Sequence, residues 1–455
     1  MRSYISFKVV TGLCLLGLAC PTIAGSEISS YVVLGPQGQA IVRVVTTAAA
    51  CPVLEVGGRP VPMGLRVEPR MAPLSAERPA VFSVRVCERT LPATGSDVKL
   101  EGKAIPVPKG SPRKIVLLGD TGCRLKWPAA YQSCNDPQAW PLARVAQSAA
   151  AERPDLVIHV GDYHYRESPC PSGGCAKSPQ GYGSDTWDAD FFEPMRPLLQ
   201  AAPWVFTRGN HESCTRAGQG WFRFLDPHAY APGHACDDPG QTNEDFTAPY
   251  AIPLGPRHQL IVLDSAAASE KTPRPGTAAV DVFAAQFDQV AALARNRPHN
   301  WLVLHHPVLG YGYQPLLGYQ KGNPTLLAAL QEKRYPTFFP AGIQLTLQGH
   351  IHTFELNRFE GSEPMTLITG FGGSLLEPAF PKWLPDHFQL APGVTLSETR
   401  SDQRYGYTVL EQQDGRWALL EKDVEGRSRL RCTLQLEQPP YGFECSTPPL
   451  QKRLD

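Results

Sequence analysis

The sequence predicts an α/β protein, a four-layer α/β/β/α sandwich preceded by a small all-β sandwich domain. Three observations lead there. Short β-branched strands alternate with helical stretches from residue 114 to about 375. Residues 25–110 contain strand patterns without helical ones. Five strands of the later region end in turns that carry Asp, Asn or His.

In chain order, YVVLG, QAIVRVVTT, PVLEV and VFSVRVCE cluster or alternate β-branched residues between Gly and Pro, as the strands of a small sandwich do. PVPKGSPRK, residues 106–114, reads as a linker. Strand IVLL (115–118) follows, then a helical stretch over 141–154 that ends at a proline. Strand LVIHV (156–160) precedes a helix over 185–200, expected to break near Pro194, and the short strand WVF (204–206). HQLIVLDS opens a second set of strands, with helices over 282–296 and 325–333 between them. Strands then dominate to the end of the chain. Glycine- and proline-rich stretches at 167–183 and 377–393 read as loops that either wall a site or form surface insertions.

With 455 residues the chain is long enough for two or three domains. The expected division is 1–24, 25–110 and 111–455, the last carrying the site and the C-terminal strands. Residues 1–24 resemble a secretory signal: Arg2 and Lys8, an apolar run to Cys20, then Thr22-Ile23-Ala24. Cys20 raises a lipoprotein alternative, but Gly17 stands where that signal usually has Leu. No stretch reaches the roughly 18 apolar residues of a membrane span. Without the leader the chain has 41 basic and 43 acidic residues, a balance that argues against nucleic acid or anionic membrane as the main partner.

Ten cysteines remain outside the leader and fall into neighbours: Cys51/Cys87, Cys123/Cys134, Cys170/Cys175, Cys214/Cys236 and Cys432/Cys445. An even count in an exported chain points to disulfides, and short loops favour neighbour pairing. The sequence has no Cys-x-x-Cys for a zinc ribbon and no usable Asn-x-Ser/Thr, so a bacterial periplasm is the expected setting, with secretion the broader alternative.

The strand ends carry the chemistry. They read Gly119-Asp120-Thr121-Gly122, Gly161-Asp162-Tyr163-His164-Tyr165, Gly209-Asn210-His211-Glu212, Leu302-Val303-Leu304-His305 and Gly349-His350-Ile351-His352. Singly, such residues are turn and cap residues. Together, carboxylate, amide oxygen and imidazole are the donor set for hard di- or trivalent ions and for iron, zinc or manganese.

Order and spacing resemble the calcineurin-like metallophosphoesterases over residues 114–375, and within them the purple acid phosphatases. That resemblance implies two metal ions. One would be held by Asp120, Asp162, Tyr165 and His352. The other would be held by Asp162, Asn210, His305 and His350. Most calcineurin-like enzymes have His two residues after the first Asp; here Gly122 stands there, and Tyr165, three after Asp162, can replace it as a ligand. A phenol titrates near pH 10, so an ion that binds it deprotonated is strongly Lewis acidic. Ferric iron fits best, with iron, zinc or manganese as the divalent partner.

Either His305 or His306 can bind metal; the resemblance favours His305, two residues before Pro307, and leaves His306 behind it or facing substrate. His211 is the candidate for binding phosphate or protonating the leaving group, with Glu212 expected to orient its ring. His164 and Arg208 either touch substrate or face solvent. Gly370-Phe371-Gly372-Gly373 is read as backbone passing close to the site rather than as a nucleotide loop.

The implied function is an exported binuclear phosphatase that hydrolyses phosphomonoesters by metal-hydroxide attack. A phosphodiesterase or nucleotidase on the same centre is the alternative, and a non-catalytic extracellular binding protein the remote one.

Overall fold

The computed structural model describes residues 27–446 and 452–453, apart from 72–79, 93–96, 128–129, 172, 238–245, 275 and 382. The leader and Cys20 lie outside the described residues.

Two large sheets face each other. At the centre of the first, Lys114–Leu118, Leu156–His159 and Trp204–Phe206 run parallel in that order. In the second, His258–Val262, His299–Val303, Ile343–Gln348 and Met365–Thr369 are parallel neighbours. Period-two alternation divides their side chains. Ile115, Leu117, Ile158 and Val205 meet Leu260, Trp301, Val303 and Leu345 in the core between the sheets. Val116, Leu118 and Val157 point the other way, against Leu142 and Val145 of helix Leu142–Ala151. Ile261, Leu302 and Leu304 likewise meet Phe283 and Phe287 of helix Ala278–Ala294. Four layers follow, as expected.

The N-terminal stretch is all-β. Strands Glu27–Leu34, Ala40–Thr46, Arg85–Thr90 and Gly64–Val67 continue the first sheet, joined to it where Val33 pairs in parallel with Trp204. Four shorter strands, among them Val53–Val56 and Val98–Leu100, form a separate sheet. Val42 and Val44 on one sheet and Leu54, Val98 and Leu100 on the other belong to one core, which is also the core between the two large sheets.

Local chemistry sets the element ends. Asn323 caps helix Pro324–Lys333 by accepting from the backbone N–H of Thr325 (3.0 Å) and Leu326 (3.1 Å), with proline in the first turn. Residues 184–199 stay helical through Pro194; the expected break is replaced by a wider π-type turn at Asp188–Phe192 just before it. All five cysteine pairs are disulfides.

Candidate metal centre

The parallel strands of both sheets end at one edge, and the five motifs meet there. At the tips the backbone turns sharply: Asp120, Asp162 and His350 have φ of 55°, 58° and 69°. This left-handed conformation is uncommon for residues with a side chain, and it is a form of strain that concentrates at functional sites. Backbone bonds brace it. Asp120 N–H donates to Gly161 O (3.0 Å), and Ser374 N–H donates to Asp120 O (2.8 Å).

Tyr165 Oη lies 3.0 Å from Asp120 Oδ1, 2.9 Å from Asp162 Oδ2 and 2.9 Å from His352 Nε2. His352 Nε2 is 3.3 Å from Asp120 Oδ1. On the other side of Asp162, His305 Nε2 lies 3.3 Å from Asp162 Oδ2 and 3.1 Å from Asn210 Oδ1. His350 Nδ1 lies 3.1 Å from that same Asn210 oxygen. Donor atoms that share one ion at 2.0–2.2 Å sit roughly 3 Å apart, the spacing found around Tyr165 Oη and around Asn210 Oδ1. Asp162 Oδ2 adjoins both Tyr165 and His305. The groups Asp120, Asp162, His305 and His305, His306, His350 are each close enough to hold an ion. The other oxygens are committed: Asp120 Oδ2 accepts from His350 N–H and Asp162 Oδ1 from His211 N–H, both at 2.9 Å.

Two of the three candidate imidazoles are also held from behind by carbonyls. His305 Nδ1 meets Val160 O (2.9 Å), and His352 Nδ1 meets Leu375 O. These contacts keep the opposite nitrogen turned to the cluster. Burial alone would lower the His305 pKa, but Asp162 facing it pushes it up to about 9. The carboxylate charge there calls for a positive counterpart. Burial, then Asp120 and Asp162, raise the Tyr165 phenol well above its usual range, so only a strong Lewis acid would hold it deprotonated.

Glycine makes room for the tyrosine. A Cβ at Gly122 would lie 2.6 Å from Tyr163 O and 2.9 Å from the Tyr165 ring, so a side chain there and this placement of Tyr165 exclude each other. The second glycine loop behaves as expected: a Cβ on Gly370 would meet Ile351 O at 2.2 Å and Asp120 Oδ2 at 2.8 Å.

His305 and His306 differ in their partners, and His305 alone of the two also groups with Asp120 and Asp162. His306 has partners of its own, Nδ1 with Ser265 Oγ (3.2 Å) and Nε2 toward Glu270 (3.5 Å), and it also stands close enough to His305 and His350 for the three to hold an ion together. Three expectations need correction. Glu212 does not orient His211. Its carboxylate accepts from the backbone N–H of Asp162, Tyr163, His164 and Gly209 (2.9–3.2 Å), and so clamps the loop that carries Asp162 and Tyr165. Burial and Asp162 push the Glu212 carboxyl up to about 8, with the backbone donors pulling against them. His164 neither touches the cluster nor faces solvent; its ring is fully buried against Tyr182 and Trp187. Arg208 is also buried, donating to Glu212 O (2.8 Å) and Asp264 (3.2 Å).

The partners of His211 come from loops. Its Nδ1 lies 2.7 Å from Glu167 Oε1 and 3.0 Å from His164 O, and Arg216 pairs with the same Glu167 oxygen. Its Nε2 faces Asp162 Oδ2 at 3.8 Å. No motif marked Glu167 or Arg216; their closeness in sequence to Tyr165 and His211 was the available signal. Beside His350 a cavity of about 340 Å³ is lined by Glu270, Tyr313, Lys321, Asn323 and Glu377, so the predicted loops reach the site at their first residues, Glu377 here and Glu167 at His211.

A further set of donors, His258, His299 and Glu437, lies at the opposite strand ends. The two rings stack at 4.6 Å with planes only 20° apart, and Arg257 approaches His299 Nε2 at 3.3 Å. Near-parallel rings do not aim their lone pairs at one ion, and the guanidinium opposes a cation.

The sequence model of the calcineurin-like phosphoesterase family matches residues 113–354, more than half of the chain. The chain belongs to the calcineurin-like phosphoesterase family. This phosphoesterase matches no curated protein. Its fold is similar to that of a purple acid phosphatase isolated from yellow lupin (Lupinus luteus) seeds: TM-score 0.53, 16% identity, covering 89% of this chain and 73% of that one. It is also similar to a structure of PhoD, with TM-score 0.56, 11% identity and 92% of each chain covered.

Proposed function

We propose that this phosphoesterase is an exported, binuclear metal-dependent phosphatase of the purple acid type that releases inorganic phosphate from monoesters. The observation that carries the reading is Tyr165 Oη within 3.0 Å of Asp120, Asp162 and His352, in the space that Gly122 leaves open. Asp120, Asp162, Tyr165 and His352 would hold a ferric ion, and Asp162, Asn210, His305 and His350 a divalent one. Two such ions, when bound, would supply a clamp for phosphate and a water of lowered pKa.

The chain's own residues do the rest. Glu212 fixes the Asp162 loop through its four N–H bonds. Glu167 and the His164 carbonyl hold His211 from Nδ1, leaving Nε2 toward the cluster to bind phosphate or hand a proton to the leaving oxygen. Burial and Arg216 lower the His211 imidazole to about 4 against the pull of Asp162 and Glu167, so proton donation from it belongs to acidic solution. Export is supported by the leader-like start and the five disulfides. No helix among the described residues is long and apolar enough to cross a membrane.

Turnover of p-nitrophenyl phosphate against bis-p-nitrophenyl phosphate by the isolated protein tests the reading. Preference for the monoester supports it; preference for the diester makes the enzyme a phosphodiesterase. Two bound ions with no hydrolysis of either would leave a binding protein.

A further inference from the structure

The three candidate metal-binding imidazoles differ in what stands behind them. His305 and His352 rest on backbone carbonyls, of Val160 and Leu375, inside the fold. His350 is the exposed one, with a quarter of its side chain open to solvent, and no carbonyl backs it among its described contacts. Its outer nitrogen, Nε2, instead lies 3.2 Å from Glu270 Oε1, while Nδ1 faces Asn210 at 3.1 Å.

Glu270 is itself held. Asn323 Nδ2 donates to the same Oε1 at 3.0 Å, and Asn323 is fixed in turn because its Oδ1 caps helix Pro324–Lys333. His306 Nε2 approaches that oxygen at 3.5 Å. Ser265 Oγ accepts the backbone N–H of His305 and His306, which leaves its proton for His306 Nδ1 and makes Nε2 the protonated nitrogen of that ring. One oxygen thus gathers three N–H groups at the edge of the cluster.

We propose that Glu270 is a positioning residue for the second metal ion: by accepting the His350 Nε2–H it turns the Nδ1 lone pair into the site and makes that nitrogen more basic. A carboxylate behind a metal-bound imidazole is worth 10–100-fold in metal affinity. The proposal rests on the binuclear reading above and assigns Glu270 no contact with substrate.

The test is zinc retention at the second site by purified wild-type, Glu270→Gln and Glu270→Ala proteins across a chelator-buffered series of free Zn²⁺, counted by plasma mass spectrometry. The expected result is two ions per wild-type chain. Glu270→Ala should need about 10–100-fold more free Zn²⁺ to keep the second. Glu270→Gln, which retains an acceptor oxygen without the charge, should fall between. The first ion, with its visible absorption, should stay in both variants, which shows that the fold is intact; Glu270 is 59% exposed. Second-site retention at wild-type Zn²⁺ in both variants, with two ions in the wild type, overturns this inference alone. A wild-type chain that never holds two ions overturns the binuclear reading and the inference together.

Discussion

The two halves of the cluster are built differently although they share Asp162. Around Tyr165 the donors are closed in. Asp120 and Tyr165 are fully buried, and Tyr165 Oη touches three partners within 3.0 Å. Around Asn210 the cluster opens. His350 is a quarter exposed, Asn210 is half-buried, and a cavity adjoins. A donor set fixed by packing on every side suits an ion that stays. One that relies on a loop carboxylate for a ligand's orientation suits an ion that exchanges and a substrate that comes and goes. Under the proposed function, the phosphate side of the chemistry would take place at the open half.

Substitutions can break that contrast. Asp162→Ala should have the largest effect, because Oδ2 faces both halves. Both ions should be lost and phosphate release should fall about 10³-fold or more, checked by metal analysis and steady-state assay. Asn210→Ala should empty the open half only; loss of the first ion as well would mean that the halves are not separable. His211→Ala should keep both ions and lower kcat by about 10²-fold or more. In the wild type kcat should rise toward acid as His211 takes up its proton, and the variant should lose that dependence; wild-type kinetics would remove His211 from the reaction. The gentlest test is graded chelation, in which the ion of the open half should leave first and activity should fall while the visible spectrum persists.

Much of this was legible in the sequence because the site stands where strands end. Asp120, Asp162, His305 and His350 each follow a short apolar run whose period and length mark a buried parallel strand, so residue type and position spoke together. The four layers were legible for the same reason. What stayed hidden depends on contacts between distant segments or on the direction of a side chain. Glu212 follows His211 directly, yet its carboxylate turns to backbone some fifty residues earlier in the chain. His164 sits inside a motif and Arg208 directly before one, and both nonetheless face the core. Glu270 lies in a stretch without periodicity and meets His350 and Asn323, which stand about 80 and 53 residues later in the chain. The pairing of Val33 with Trp204, which ties the N-terminal strands into the first sheet, has no local signal either.

Metal analysis combined with the visible absorption spectrum, on wild-type and Tyr165→Phe protein, tests the central claim most directly. The expected result is two ions per chain, one of them iron, with a broad tyrosinate-to-ferric band that the substitution removes while the second ion stays bound. Two ions without such a band, or a band that survives Tyr165→Phe, would contradict Tyr165 as a ligand. Fewer than two ions in the wild type would contradict the binuclear centre itself.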